Sequence, residues 1–445
     1  MFKSESRIQL LIGLMLASLW VLPCFADSQV RIVRLSDVQG EVQVDRRTGQ
    51  GFEKAFLNLP ITQGMKIRTG NSGRAEIQFE DSSSLRIVPN TVIEIPQLSL
   101  RDSGAKVSEI HLQEGTAYVN FLASKDDELT VTFVREKLTL ARAAHLRVDV
   151  GDTDAAVAVF KGDVDVAGPS ETVQVGKNHT VSFDLLNNER HQLAKSVDEE
   201  PFDSWDKRQN EYDELYASKA QSNYSPYAYG TSDLNYYGNF FNAPGYGMLW
   251  QPYLAGAGWD PFMNGAWAFN PGFGYGWVSG YPWGWTPYHY GSWVYLPQYG
   301  WGWQPGGSWM GWNTVPVVTN APSTFVPPRS PLLPGQRIIV ANRGPLPTVQ
   351  GKSSGRVEIP NNSAGLGIPR GSIKDLGQLS QTVQQRGFVT TRVPTTPAGF
   401  SGGQVGFGGA NSRGSAPVWR GSNTSISAPP SAHASSGHVA GSGRH

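Results

Sequence analysis

Between residues 30 and 175 the chain is written in short β-branched runs separated by glycine, aspartate, asparagine or serine. The runs are Val30–Leu35, Glu41–Val44, Arg74–Phe79, Leu85–Val88, Val92–Ile95, Glu109–Leu112, Ala117–Phe121, Leu129–Phe133, Leu146–Val150, Ala156–Phe160, Val164–Val166 and Val173–Val175. Many alternate apolar with polar residues, the period of a strand with one buried face. A weak internal repeat joins three of them: Gly40-Glu-Val-Gln-Val44, Gly115-Thr-Ala-Tyr-Val119 and Gly162-Asp-Val-Asp-Val166. Glycine there admits the positive φ of a turn that feeds a strand, and the alternation sends one side inward. The pattern predicts an all-β fold: a sandwich, a roll or a short solenoid over about 150 residues. That length suffices for a core without covalent staples.

Within this region lie Gly64-Met-Lys-Ile-Arg-Thr-Gly70, Gly73-Arg-Ala-Glu-Ile-Gln-Phe79 and Asp81-Ser-Ser-Ser-Leu-Arg-Ile87. They are similar to the turn–strand–turn–strand run of the FecR family, and residues 35–185 as a whole resemble that family's extracytoplasmic domain. Ser82 stands where the run usually has glycine, so a looser hairpin is expected. The matching residues are structural glycines and strands, not catalytic groups. The resemblance implies the fold and an envelope location. Family members carry a cytoplasmic anti-sigma segment and a transmembrane helix ahead of this domain. Only a few residues precede the first apolar run here, which argues against transmembrane sigma signalling by this chain alone.

Lys3 and Arg7 precede the apolar run Ile8–Leu22, and Cys24-Phe25-Ala26 precedes Asp27. This is the order of a secretory signal, expected over residues 1–26 with cleavage after Ala26. The run is shorter than the ~20 residues of a spanning helix, so no membrane helix is expected after cleavage. Pro23 disfavours a lipoprotein reading through Cys24. Cleavage removes the single cysteine, and with it any disulfide, thiolate nucleophile or Cys-ligated metal. The expected location is the periplasm or the cell surface of a bacterium.

Charge is segregated along the chain. Residues 27–220 hold 23 Lys or Arg against 32 Asp or Glu; residues 221–328 hold only Asp233 and Asp260; residues 329–445 hold 12 basic residues against Glu358 and Asp375. The formal net charge of zero is a cancellation between opposed ends. Such asymmetry points to pairing, within the chain or with a partner. With 51 Gly, 30 Pro and only 17% charged residues, a coiled coil is excluded.

After the β domain (27–190), residues 200–220 change period. Phe202, Trp205, Tyr212, Leu215 and Tyr216 form one stripe of an amphipathic connecting helix, with Asp203 or Ser204 as its cap.

Residues 221–312 form an aromatic segment. Eleven of the fourteen tryptophans lie between 250 and 312, and the series 250, 259, 267, 277, 285, 293, 301 steps by eight to ten residues with Gly or Pro in each interval. That is the spacing of short strands in a meander, made irregular by proline. In Trp301-Gly-Trp303 the period of 2 puts both indoles on one face. Trp250-Gln-Pro-Tyr253, Trp259-Asp-Pro-Phe262 and Pro282-Trp-Gly-Trp-Thr-Pro-Tyr-His-Tyr-Gly-Ser-Trp293 resemble a Trp/Tyr/Pro-rich domain of unknown function that follows FecR-type domains in exported bacterial proteins. Ser292 replaces an expected arginine. Each aromatic buries ~150–250 Å², so indole packing can hold a small domain. So many in about sixty residues also predicts that some are exposed and bind a partner. Trp283, Trp285, Tyr288, His289, Tyr290 and Trp293 are the expected binding face, for a glycan or an envelope protein.

Residues 313–445 are rich in Pro, Gly, Ser and Thr and read as a mostly disordered basic tail. A strand at Arg337–Val340 and a short helix at Ile373–Arg386 are the exceptions. The tail is suited to anionic surfaces or to folding back on the acidic β domain, an arm whose contribution would fade at high salt. Its basic residues are scattered singly, unlike those of nucleic-acid-binding modules.

No enzyme or cofactor motif is present. The histidines at 111, 145, 179, 191, 289, 433, 438 and 445 show no ligand spacing, and Asp152, Asp154, Asp163 and Asp165 read as solvated rather than as a calcium site. Glu41, Glu76 and Glu80 read as outward positions. The expected function is a non-catalytic envelope interaction or scaffold protein. The alternatives are a sensory component of FecR-type envelope signalling and, third, a carbohydrate-active enzyme.

Overall fold

The computed structural model describes residues 31–392, apart from 125, 188–189, 218–228, 272, 312–314, 332–337, 343–348 and 351–355. The expected signal over 1–26 and residues 393–445 lie outside the described residues.

The strand code of the first part folds as two sheets that share one long strand. Lys106–Phe121 pairs through its first half with Val92–Leu100 and, in parallel, with Glu128–Phe133. Its second half pairs with Ser84–Ile87 and Ala144–Val150 in the other sheet. The strand changes sheet at Gly115, where φ is 90° and a Cβ would lie 2.4 Å from the Asn90 carbonyl oxygen. The other repeat glycines, Gly40 and Gly162, also have positive φ, as the turns they open require. Ser82 adopts φ 71° without glycine's freedom; Asp81 compensates by accepting from the Ser83 amide at 2.9 Å and its hydroxyl at 2.8 Å.

In the first sheet the order is Pro60–Ile61, Val33–Gln39, Arg74–Gln78, Ser84–Ile87, Lys106–Phe121, Ala144–Val150, Asp154–Lys161, His179–Asp184 and Arg190–Ala194. The second runs from Phe52–Lys54 through Val42–Asp45, Lys66–Thr69, Val92–Leu100, Lys106–Phe121, Glu128–Phe133 and Glu136–Leu140 to Val164–Ala167 and Thr172–Val175. Inward residues of both, among them Leu35, Ile77, Val119 and Val157 from one and Val44, Ile93, Val131 and Leu138 from the other, form a single core. Of the expected architectures, this is a sandwich.

Helix α1 (Asp203–Ala217) follows where the period changes. Trp205, Tyr212 and Tyr216 are buried as the stripe predicts, but Leu215 is 52% exposed. Its place on the buried side is taken by polar groups, Asp206 and Gln209. Helix α2 (Thr231–Tyr237) opens the aromatic domain, and helix α3 (Thr286–His289) is a single turn within it.

The aromatic meander is three hairpins shared between two sheets. Gly238–Ala243 with Gly247–Pro252, and Tyr290–Leu296 with Gly300–Trp309, build one sheet, joined by Val317–Thr319. Asn264–Asn270 with Gly274–Ser279 build the other, completed by Ile339–Asn342. Indoles meet across the strands: Trp293 is opposite Trp303, Trp250 opposite Trp303, and Trp267 opposite Trp277. Trp301 and Trp303 share the buried face, as the period of 2 requires.

The described residues of the tail hold the two expected islands and a few further elements. The strand expected at Arg337–Val340 is Ile339–Asn342, and the expected helix is α4 (Leu376–Arg386), capped by Asp375, which accepts from the Gln378 amide. Beyond these, Val349–Gln350, Arg356–Pro360 and Phe388–Arg392 form a further three-stranded sheet. Val357, Ile359, Ala364, Leu366, Ile368, Leu376 and Val383 join the indole core. The composition is that of a linker, but these apolar residues have a ready-made aromatic surface to bury against. Among the described residues no helix is long and apolar enough to cross a membrane.

Candidate functional site

On the strands of the first sheet, residues alternate between the core and the opposite face. That opposite face carries Arg34, Ser36, Glu76, Gln78, Arg86, Tyr118, His145 and Arg147, which local pattern reads as solvated. It is covered instead. Helix α1, helix α2, the loop at Pro282 and residue 370 of the tail all lie on it.

Arg86 is the centre of this layer. Its Nε donates to Glu76 Oε2 at 2.7 Å, its Nη1 to Asp206 Oδ1 at 2.8 Å and Asn210 Oδ1 at 2.7 Å, and its Nη2 to Asp213 Oδ2 at 3.1 Å. Asp206, Asn210 and Asp213 fall at i, i+4 and i+7, one face of α1, so the helix period sets them all toward one guanidinium. Next to them His145 Nε2 lies 2.6 Å from Asp206 Oδ2. At the helix start Asp203 accepts from Arg147 Nη1 at 2.7 Å and from the Tyr118 hydroxyl at 2.8 Å.

The second centre is Asp233. Arg370 grips it with two donors, Nε to Oδ1 and Nη2 to Oδ2, both at 2.8 Å. Arg34 Nη2 donates to Oδ2 at 2.6 Å and Tyr212 to Oδ1 at 3.0 Å. Arg370 Nη1 also reaches Glu76 Oε1 at 2.7 Å, which links the two centres. Arg34 donates further to Asn58, Gln78 and the Pro282 carbonyl. Gly230, at φ 82°, brings its amide to Gln78 Oε1 at 2.9 Å; a Cβ there would press on Thr286 and Arg34.

Burial opposes the charged form, and at Glu76 and Asp206 the pairing outweighs it. For Glu76, burial alone would raise the carboxyl, but Arg86 and Arg370 hold it well below the ordinary range. Asp206 is also lowered, by His145 and Arg86 against burial. Asp213 goes the other way: burial and the neighbouring Glu76 push it up to about 7. The layer therefore binds protein to protein by charge-assisted hydrogen bonds and holds one carboxylate that titrates near neutrality.

Of the three outward readings, those of Glu76 and Glu80 are corrected. Glu76 is fully buried and Glu80 nearly so, the latter in a two-point pair with Arg31 at 2.9 and 2.8 Å; only Glu41 of the three is exposed. Asp152, Asp154, Asp163 and Asp165 are exposed. The expected binding face is also corrected. Trp283, Trp285, Tyr288, His289, Tyr290 and Trp293 are brought together, but all six are buried. Trp283 stacks on Tyr281 at 4.9 Å and donates to the Ala364 carbonyl of the tail at 2.7 Å; Trp293 donates to the Pro287 carbonyl at 3.1 Å. Trp285 packs against Tyr229 and His289, and Tyr288 donates to the Pro261 carbonyl. Burial pushes His289 down to about 3, with Arg34 adding to the shift, so its ring is neutral. The reason is the size of the core. The tail and the β domain cover indoles that sixty residues could not hide, and of the described tryptophans between 250 and 312 only Trp309 is substantially exposed, at 39%.

The residues that assemble the site were missed by sequence reasoning. One signal was available: Asp233 is one of two charges in a segment of 108 residues, and a lone acid in apolar surroundings needs partners.

Comparison with known proteins bears on the two parts separately. A family model described as FecR protein matches residues 65–165. The chain carries a FecR domain. Glu76 and Arg86 lie within the match. A second model, a family of unknown function (DUF6600), matches residues 231–327, which include Asp233 and most of the aromatic ladder. Two crystal structures of a "putative anti-sigma factor" from Parabacteroides distasonis ATCC 8503 are similar at 18% and 15% identity, with TM-scores of 0.27 and 0.26. They cover 32% and 29% of this chain, which in turn spans 63% and 59% of theirs, less than two thirds of their length. No curated protein matches the chain. The charged layer thus joins the FecR domain to the DUF6600 domain, with Arg370 inserted between them.

Proposed function

We propose that this chain is an exported, non-catalytic sensory component of FecR-type signalling in the bacterial envelope. It acts by protein–protein contact and relays through a separate membrane partner. The observation that supports this reading is the way the FecR domain holds α1, α2 and Arg370 in cis by fixed charge pairs on one sheet face. Charge pairing of this kind selects a partner by pattern more than by affinity, which is what a reader of another protein's state requires. The DUF6600 domain, packed around indoles, serves as the rigid body to which that face is tied.

In-cell crosslinking with mass spectrometry, combined with transcript profiling of a deletion strain, tests the proposal. Crosslinks from the FecR domain to an outer-membrane receptor or an inner-membrane regulator, with altered transcripts of one sigma-factor regulon, are expected. Unaltered transcripts, with crosslinks confined to wall polymers and their enzymes, would instead support an envelope scaffold.

A further inference from the structure

The charged layer holds fewer guanidiniums than carboxylates. Three guanidiniums, Arg34, Arg86 and Arg370, face four carboxylates, Glu76, Asp206, Asp213 and Asp233. The carboxylates outnumber the guanidiniums by one in a layer largely removed from water, so the carboxylate with the fewest donors is the one best placed to keep a proton. The partners indicate where that proton sits. Glu76 accepts from Ser36, Arg86 and Arg370; Asp206 from Arg86, with His145 and Asn210 beside it; Asp233 from Arg34, Arg370 and Tyr212. The Asp213 carboxylate meets one donor among the described residues, Arg86 Nη2, at 3.1 Å, the longest of the guanidinium–carboxylate pairs in the layer.

The charged groups that act on Asp213 are Glu76 and Arg86 from the FecR domain, Asp233 from α2 and Arg370 from the tail; on its own helix, Asp206 shares the Arg86 guanidinium. Asp37 and Arg74 stand at the margin, with Asp37 interacting with both Arg370 and Glu76.

We propose that this layer is a proton-operated clasp: with one proton on Asp213 it holds α1, α2 and the Arg370 segment on the FecR domain, and loss of that proton loosens them and uncovers the charged sheet face. This goes beyond the signalling reading and does not depend on it. The upward displacement of Asp213 by burial and by Glu76 places the exchange in the neutral range rather than in acid.

The linkage has a definite sign. A carboxyl that holds its proton more tightly when clasped favours the clasped state at low pH, and that advantage is lost as pH rises from the free carboxyl's range to neutrality. Glu76 and Asp206, displaced downward, have the opposite sign, but their contribution changes only in stronger acid.

Amide exchange of the full chain from pH 5 to 8, corrected for the intrinsic rate, reads the clasp. The amides of α1 are compared with those of the strand Asp154–Lys161, which does not carry the layer. Opening of α1 should become easier by up to about tenfold per pH unit, the limit for one linked proton, and level off at neutrality. D213N should abolish this slope, and H145Q should retain it. A wild-type profile that does not change relative to the reference strand overturns the proposal, and does so even if D213N does not fold. A slope kept in D213N, or lost in H145Q alone, overturns the assignment to Asp213.

Discussion

Arg370 donates to Glu76 at 2.7 Å across 294 residues of chain. One partner comes from a segment with the composition of a linker, the other from a strand position that alternation marks as outward. Both are buried, and the same guanidinium grips Asp233 of the DUF6600 domain. The pair ties three segments into one body.

Removing this arginine should be costly. Arg370→Ala leaves Glu76 and Asp233 buried with less compensation, and the expected loss is about 3–5 kcal/mol of unfolding free energy. Arg370→Lys should recover only part of it, because an ammonium cannot reproduce the two-point grip on Asp233. Denaturant titration of both variants measures the difference.

Glu76 predicts an acid limb. Its folded carboxyl lies below the ordinary value of 4.5, so its stabilisation is present above that value and is lost as pH falls further. E76Q should therefore be much less stable than wild type at pH 6, with the gap narrowing toward pH 3. A gap that stays constant across that range would show that Glu76 does not titrate with folding.

Trp283 and Trp309 should separate core from surface. Trp283→Ala removes a buried indole stacked on Tyr281 and bonded to Ala364, with an expected cost of about 3–5 kcal/mol. Trp309→Ala removes a part-exposed ring that stacks on His289 at 4.7 Å, with an expected cost of about 0.5–1.5 kcal/mol. Thermal melts of the two variants should rank in that order.

Truncation before residue 356 should uncover Trp283, Tyr236 and Tyr237, and a dye that reports exposed apolar surface should bind. An arm held by surface charge would matter less at high salt. Arg370 is buried, so the loss of stability should persist at 1 M salt.

Gly115 is where one strand passes between two sheets. Gly115→Ala should cost at least about 1 kcal/mol, because φ of 90° is strained for alanine and the Asn90 carbonyl occupies the space. Calorimetry of this single substitution is sufficient.

Much of the fold was legible because its signals are local. Alternation from Val33 to Val175 placed the core of the FecR domain, and Trp301-Gly-Trp303 placed two indoles on one side. The site was far less legible. Arg34, Glu76 and Arg86 show the same polar alternation as solvated strand residues, and nothing near them in the chain announces that α1 and Arg370 will cover them. The aromatic face Trp283–Trp293 was misplaced for the same reason. Its covering residues, such as Ala364 and Leu366, lie in a tail whose composition suggests solvent.

The sequence by itself determined the strands, their inward faces, the turn glycines and the segregation of charge, because backbone sterics and side-chain period act over a few residues. Only the tertiary structure decided which outward faces meet water. Burial of a charge depends on partners brought from 120 to 294 residues away. Such pairs are stable only as a complete set, so no local pattern encodes them.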